Sequence, residues 1–401
     1  MQTNTQQVSS AILPQRTLAR EWYLALFLVA LADIALLCMG LLLPSVPHCP
    51  QVAVSAVEQR VLEPWARYDT CQYIVIARDG YGAQRGSTAF HPLFPLLMSA
   101  AGHALGGQFL LGGWLVSALC CMGAIFLLQR LVQLDHDVDV SQRAAMLLLF
   151  SPLGFSLLIP YTEAVLMLCV LGAFYAARKR RWALAGLAGF GAALTKQPGV
   201  VVLLPLLLEL WQSERANLRA RRFAPALGAL AWLALTPFGL LVFLLFRATL
   251  GDVAVSLSNP MSFVDALLVT PQYREVWQEY FSWPWVNFLF AVDVLATRPY
   301  FYIIINVALM LVALAIIAFG LLRWRHSYAL YAVVLTWLNL SIVYPLWPYM
   351  GIVRRFTIIF PIFTQLALWS RRPLPRLLII AVSGSLWALI TMAYLRKAFV
   401  P

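Results

Sequence analysis

Apolar residues run through this chain in long stretches separated by short polar or basic segments. The clear runs are 22–43, 109–129, 144–159, 161–177, 183–195, 199–211, 225–247, 300–322, 327–343, 355–369 and 377–395. A full membrane crossing takes about 20 residues of helix, so the longest runs predict spanning helices. The pairs 144–159/161–177 and 183–195/199–211 are shorter and predict broken helical hairpins, with Pro160 and Pro198 at their tips. Such backbone is tolerated at membrane depth where it lines a cavity rather than lipid. The runs lack the alternation of barrel strands. The pattern therefore predicts an all-α polytopic membrane protein of about 11 transmembrane helices, with no internal repeat and with residues 1–401 forming one transmembrane domain.

Composition agrees. The chain is 62% hydrophobic and 11% charged, against about 25% charged in soluble domains. A secreted globular enzyme, a nucleic-acid binder and a disordered chain are excluded. The net charge of +12 follows from the positive-inside rule and implies no nucleic-acid partner. Basic residues gather in alternate short segments: Arg16 and Arg20, Arg130 and Arg143, the RKRR run 178–181, 215–222, 323–325 and 371–376. That spacing places the N-terminus in the cytoplasm. It also leaves two outer loops, 44–108 and 249–299, the first of them large. To keep RKRR inside, 92–105 and 283–296 are both read as interfacial or re-entrant helices on the outer surface, with the Trp283-Pro284-Trp285 cluster as a headgroup-level anchor. The first run is too long for the apolar core of a signal peptide, and the compact loops favour a bacterial inner (plasma) membrane. Cys38, Cys120, Cys121 and Cys169 lie in apolar runs; Cys49 and Cys71 share the first outer loop, and their pairing stays open.

Polar chemistry concentrates in that loop, in RYDTCQYIVIARDGY (67–81) followed by FHPLFPLL (90–97). Tyr73, Ala77 and Tyr81 have the spacing of one helix face, on which Asp69 stacks with Tyr73. A carboxylate held at a membrane surface among aromatics is a candidate general base; a structural Asp–Arg pair is the competing reading. Glu163, in PYTE at a hairpin tip, faces the same side as Asp69 and either binds sugar hydroxyls, orders the first loop or complements a helix N-terminus. Lys196, Arg354 and Arg355 are candidate phosphate-binding cations, with headgroup snorkelling as the alternative for the arginines. Asp33, inside the first run, is expected to partner a neighbouring helix. No Cys/His metal spacing, P-loop or dinucleotide glycine pattern is present. Asp135, Asp137 and Asp139 lack the Gly and Glu of a calcium loop. No metal ligands are assigned, and a divalent ion at Asp69 stays open.

The order Arg67-Tyr68-Asp69, Tyr73, Ile76-Ala77, Gly80-Tyr81, then Phe90-His91-Pro92-Leu93-Phe94-Pro95-Leu96-Leu97 resembles the first outer loop of the GPI mannosyltransferase II family and its bacterial relatives, in the GT-C class of glycosyltransferases. Residues 151–210, with Tyr161-Thr162-Glu163, a basic loop and Leu194-Thr195-Lys196-Gln197-Pro198-Gly199, resemble its next conserved stretch. MGIVRRFTIIFPIFTQLAL (350–368) resembles a later one more loosely. The resemblance implies transfer of a sugar, usually mannose, from a polyprenyl-phosphate monosaccharide to a glycan, glycolipid or protein acceptor on the extracytoplasmic face. It implies an inverting displacement, with Asp69 as the base that deprotonates the acceptor. Arg67, Tyr73, Arg78, Asp79, His91, Tyr161, Glu163, Lys196, Arg354 and Arg355 would line the substrate pocket. His91 stands where the family usually has Phe, Lys196 where Arg is usual, and Tyr68 where Trp is common. Lys196 keeps a cation for a phosphate, as a point charge rather than a fork.

Two other functions fit parts of the sequence. A lipid or small-molecule transporter or flippase also uses broken hairpins and intramembrane polar residues, although the polar residues here favour one outer loop over the bilayer centre. A noncatalytic membrane subunit would use the first loop only for docking. Sugar, prenol length, acceptor and oligomeric state are not legible from the residues.

Overall fold

The structure, a computed structural model, describes residues 15–42, 49, 56–83, 86–251, 253, 258–259, 279–297, 300–345 and 347–397. Parts of both expected outer loops, including 43–48, 50–55, 84–85 and 260–278, lie outside the described residues.

Helices dominate, in chain order α1 (Gln15–Leu42), α2 (Ala56–Val61), α3 (Asp69–Asp79), α4 (Leu93–Ala104), α5 (Phe109–Val132), α6 (Val138–Leu149), α7 (Glu163–Arg178), α8 (Trp182–Thr195), α9 (Leu203–Arg219), α10 (Ala224–Leu233), α11 (Leu235–Thr249), α12 (Pro284–Thr297), α13 (Phe301–Leu321), α14 (His326–Leu340), α15 (Ile352–Thr357), α16 (Pro361–Trp369) and α17 (Pro373–Leu395). One small antiparallel sheet pairs β1 (Tyr280–Phe281) with β2 (Ile342–Val343), in register Tyr280 to Val343. Among the described residues, five helices are long and apolar enough to cross a membrane: Leu18–Leu42, Phe109–Val132, Ala224–Thr249, Phe301–Leu321 and Pro373–Leu395. Their outward faces carry exposed Leu, Phe and Ile side chains. Water would not tolerate so much contiguous apolar surface, and the chain is an integral multi-pass membrane protein. The apolar segments 92–105 and 283–296 form the shorter helices α4 and α12, and Trp283 stacks on Trp285 with both rings exposed.

Several apolar runs are not single helices, and proline explains where they break. The run 144–159 leaves helical geometry after Leu149, ahead of Pro152, and continues as a 3-10 turn at Gly154–Leu157. Pro237 has no N–H for the Leu233 carbonyl, and α10 gives way to α11 there. Pro361 likewise separates α15 from α16. The 3-10 turn Gln197–Val202 precedes α9.

At the centre, α7 packs against α5 and α8. It is buried along most of its length. Around it, α5 also packs on α1, α4 and α6, α8 packs on α10 and α11, and α16 packs on α6. Small residues let α8 approach its neighbours closely: a β-carbon at Gly186 would collide with the Trp232 carbonyl. Inside α1, Asp33 lies beside Trp114 of α5, in keeping with the helix–helix role expected of it. Asp135 takes two hydrogen bonds from Arg178. Asp137 caps α6 by accepting from the Val140 N–H and pairs with Arg371. These aspartates are thus committed to the fold.

Candidate active site

The N-terminal ends of α3 and α7, the C-terminal end of α8 and the short α15 meet at one place. Asp69 opens α3, Glu163 opens α7, Lys196 follows α8 and Arg354 lies in α15. Residues up to 285 positions apart therefore share one ion network. Arg354 Nη1 donates to Asp69 Oδ2 at 2.7 Å. Its Nε lies 3.4 Å from Glu163 Oε1, and Lys196 Nζ donates to the same oxygen at 2.8 Å. Glu163 is shielded completely, with its side chain 0% exposed; those of Arg354, Asp69 and Lys196 are 13%, 23% and 24% exposed. Two carboxylates and two cations cancel, as buried charge requires. Asp69 and Lys196 are the more exposed members of the network.

Local backbone aims these groups. Tyr68, immediately before Asp69, has φ 49° and ψ −119°. This is unfavourable for a residue with a β-carbon, at a cost of about 1–3 kcal/mol. Packing of Tyr68 on Tyr394 helps hold it, as does the Cys49–Cys71 disulfide, whose second half-cystine lies two residues beyond Asp69. Thr70 also ties α3 to the turn before α7, donating to the Pro160 carbonyl at 3.1 Å. On the opposite side, α15 starts after left-handed Tyr349 and Gly351. Gly199 fits because any β-carbon there would strike the Ala192 carbonyl, and that close turn leads Lys196 off the end of α8.

The other expected residues take varied places. Tyr161 lies under Arg354, 4.9 Å from ring centroid to guanidinium carbon, with its hydroxyl 3.5 Å from that of Tyr394. Tyr73 is buried on α3, edge-on to Phe90 and Phe94. Arg67 is buried, donates to the Pro64 carbonyl at 2.6 Å and faces the Tyr394 ring. His91 is buried, 2.8 Å from the Ala193 carbonyl and against Phe243; burial pushes it down to about 3, so it is neutral. Arg78 and Asp79 pair with each other at the surface end of α3, where the Arg78 hydrogen bonds hold the Asp79 carboxyl below its ordinary value. Arg355 donates to the Met350 and Gly351 carbonyls and faces the Tyr344 ring. Tyr81 does not continue the Tyr73–Ala77 face: α3 stops at Asp79, Gly80 turns the chain with φ 83°, and the Tyr81 hydroxyl donates to the Phe90 carbonyl.

Two contributors were missed. Strand pairing of β1 with β2 sets Glu279 beside Tyr344, whose hydroxyl donates to Glu279 Oε2 at 2.7 Å. Glu279 also feels the charges of Arg355, Lys196 and Asp69, and burial raises its carboxyl above the ordinary value. Tyr394, from the last helix, lies beneath Tyr161, Tyr68 and Arg67. Only long-range pairing places either one, and no local motif marks them. Among the described residues, no three His, Cys, Asp or Glu side chains converge as a metal site would need.

Residues 90–241 match the family described as dolichyl-phosphate-mannose-protein mannosyltransferase. The matched segment is less than half the chain; it includes His91, Tyr161, Glu163 and Lys196 and stops short of Asp69 and Arg354 on either side. It is a different mannosyltransferase family from the one the motifs resemble. No curated protein matches the chain. Among solved structures, ArnT from Cupriavidus metallidurans bound to undecaprenyl phosphate is similar at 12% identity and a TM-score of 0.48, over 93% of this chain and 76% of that one. AglB from Archaeoglobus fulgidus, in complex with an inhibitory peptide and a dolichol-phosphate, is similar at 13% identity and a TM-score of 0.45, over 94% of this chain and 56% of that one. The chain thus spans about half the length of the archaeal oligosaccharyltransferase.

Proposed function

We propose that this protein is a GT-C glycosyltransferase that moves a monosaccharide, mannose in the first instance, from a polyprenyl-phosphate donor to an acceptor hydroxyl. The observation that carries the proposal is the Asp69–Arg354–Glu163–Lys196 network, gathered from four separate elements at one end of α7. In this reading Asp69 takes the acceptor proton, the acceptor oxygen attacks the anomeric carbon, and the bond from that carbon to the phosphate oxygen breaks with inversion. The phosphate leaves carrying its charge, which Lys196 and Arg354 are placed to neutralise. Glu163 fixes both cations. A single carboxylate suffices as base because the leaving group is already a phosphate. The match over residues 90–241 supports the donor class. Confinement of the ion network to one end of α7 favours transfer over transport.

The proposal includes the eleven-span arrangement, with the N-terminus in the cytoplasm of a bacterial inner membrane and the network on the outer side. Tyr161, Arg67, Tyr73 and His91 then shape the pocket, Arg355 supports it through α15, and Arg78 and Asp79 lie at its rim. The test is incubation of the protein in liposomes with radiolabelled polyprenyl-phosphate mannose and a panel of glycan, glycolipid and peptide acceptors. Release of polyprenyl phosphate coupled to labelling of an acceptor is expected. Failure across polyprenyl-phosphate mannose, glucose and aminosugar donors would contradict the proposal.

A further inference from the structure

The other end of α7 carries a second polar assembly that the reaction does not use. Glu163 and Arg178 are the first and last residues of this 16-residue helix, so its two ends lie about 22 Å apart. There a cavity of about 460 Å³ opens between the C-terminal end of α5, the turn from α13 to α14, and α16. This is within the range of about 300–1,000 Å³ typical of small-ligand sites.

Its lining mixes two characters. Trp324, Phe360, Leu368 and Trp369 supply apolar and aromatic surface. Asp135, His136, Arg323 and Arg325 supply polar and charged groups. Most of that charge is already matched. Asp135 accepts two hydrogen bonds from Arg178, each at 2.8 Å, and Arg178 also donates to Tyr328. Arg325 forks onto Glu209 at 2.5 and 2.7 Å. Burial holds His136 below its ordinary value, so it contributes polarity rather than charge at neutral pH. Arg323 has no carboxylate partner among the described residues and lies 4.1 Å over the Phe319 ring. The adjoining Leu322 is 92% exposed, and Phe319, packed edge-on to Trp369, is exposed beside it. The unmatched cation therefore stands where an apolar outer face meets a half-polar cavity.

We propose that this cavity is a binding site for the phosphate headgroup of an acidic phospholipid, with Arg323 on the phosphate and Trp324 and Trp369 against the glycerol and upper acyl chain. A soluble anion would satisfy Arg323 but leave the aromatic lining unused. A zwitterionic lipid would bring a second cation next to Arg323 and Arg325. The site is independent of the transfer reaction, and its test reads lipid binding rather than turnover.

The experiment titrates the full chain in detergent with dioleoyl-phosphatidylglycerol, dioleoyl-phosphatidylcholine, glycerol 1-phosphate or inorganic phosphate, following thermal unfolding and, by native mass spectrometry, retained lipid. Phosphatidylglycerol should raise the unfolding temperature and be retained; the other three should not substitute for it. One basic residue at a headgroup contributes about fivefold in affinity, so Arg323→Gln should bind phosphatidylglycerol about fivefold more weakly and Arg323→Lys should recover most of that. Thr364→Phe, which fills the cavity without changing charge, should also weaken retention. Equal effects of the two lipids, or wild-type retention by both Arg323→Gln and Thr364→Phe, would overturn the proposal. Equal stabilisation by glycerol 1-phosphate would reassign the cavity to a soluble anion and overturn the lipid assignment.

Discussion

Replacing Glu163 by Gln removes the carboxylate that Lys196 and Arg354 share while keeping shape and hydrogen-bonding capacity. The three groups sit 2.8 and 3.4 Å apart, and Glu163 is fully shielded from solvent. Breaking a buried ion pair from one side costs about 3–5 kcal/mol, because the surviving charge is left uncompensated. Two features of the site reduce that figure. Lys196 is 24% exposed and recovers some hydration, and Arg354 keeps Asp69 at 2.7 Å. The expected loss is therefore at the lower end, about 3 kcal/mol. The informative comparison is Glu163→Gln/Lys196→Met, which removes the lone cation as well. If the loss comes from uncompensated charge, the double variant should be more stable than Glu163→Gln alone, with a coupling of about 2 kcal/mol in a double-mutant cycle. Unfolding of detergent-solubilised protein, followed by tryptophan fluorescence, measures all four corners. A Glu163→Gln protein within about 0.5 kcal/mol of wild type, or a double variant no more stable than the single, would refute the reasoning.

Three further outcomes follow from the same geometry. Lys196→Ala should weaken donor binding about tenfold while changing turnover at saturating donor much less, since a phosphate contact is made in both ground and transition states; Arg354→Ala should lower both, because it also holds Asp69, and titration of donor in single-turnover assays separates the two. Reducing Cys49–Cys71, which closes a loop of sequence separation 22, should destabilise the protein by about 3 kcal/mol on the chain-entropy account, read as a lower unfolding midpoint in dithiothreitol that Cys71→Ser reproduces without reductant. Single cysteines placed at Lys179 and at Gly82 in a background lacking the native thiols should be labelled by membrane-impermeant maleimide from opposite sides, Lys179 from the cytoplasm; labelling of both from one side would remove the proposed topology.

The helices were legible because their apolar runs are long, and α1, α5, α13 and α17 fall where hydropathy alone puts them. Periodicity says less where a segment is apolar on every side. Residues 144–159 read as one short helix because all are hydrophobic enough to be buried, yet Pro152 and Gly154 turn their second half into irregular backbone within the protein. The same ambiguity hid the break at Pro237. At the site, Asp69, Glu163, Lys196 and Arg354 stood out as ionisable residues in an apolar chain, where charge is too costly to be incidental. Their joining in one network could not be read from spacing, since it depends on α3, α7, α8 and α15 meeting in space. Glu279 and Tyr394 were out of reach for that reason. Arg354 and Arg355 looked equivalent in sequence; a rotation of about 100° per helical residue sends one to Asp69 and the other to backbone carbonyls and Tyr344.

The central claim is that Asp69 removes the acceptor proton. Asp69→Asn preserves shape and abolishes that proton affinity. General-base catalysis contributes about 10²–10⁴-fold, so the variant should fold, bind polyprenyl-phosphate sugar and transfer it at least about a hundredfold more slowly. Asp79→Asn, which removes only a surface pair with Arg78, is the matched control and should stay near wild type. The decisive measurement is the single-turnover rate of sugar transfer in liposomes for the three proteins, with unfolding midpoints recorded alongside. A large rate loss confined to folded Asp69→Asn is the predicted result; near wild-type transfer by that variant would contradict the account.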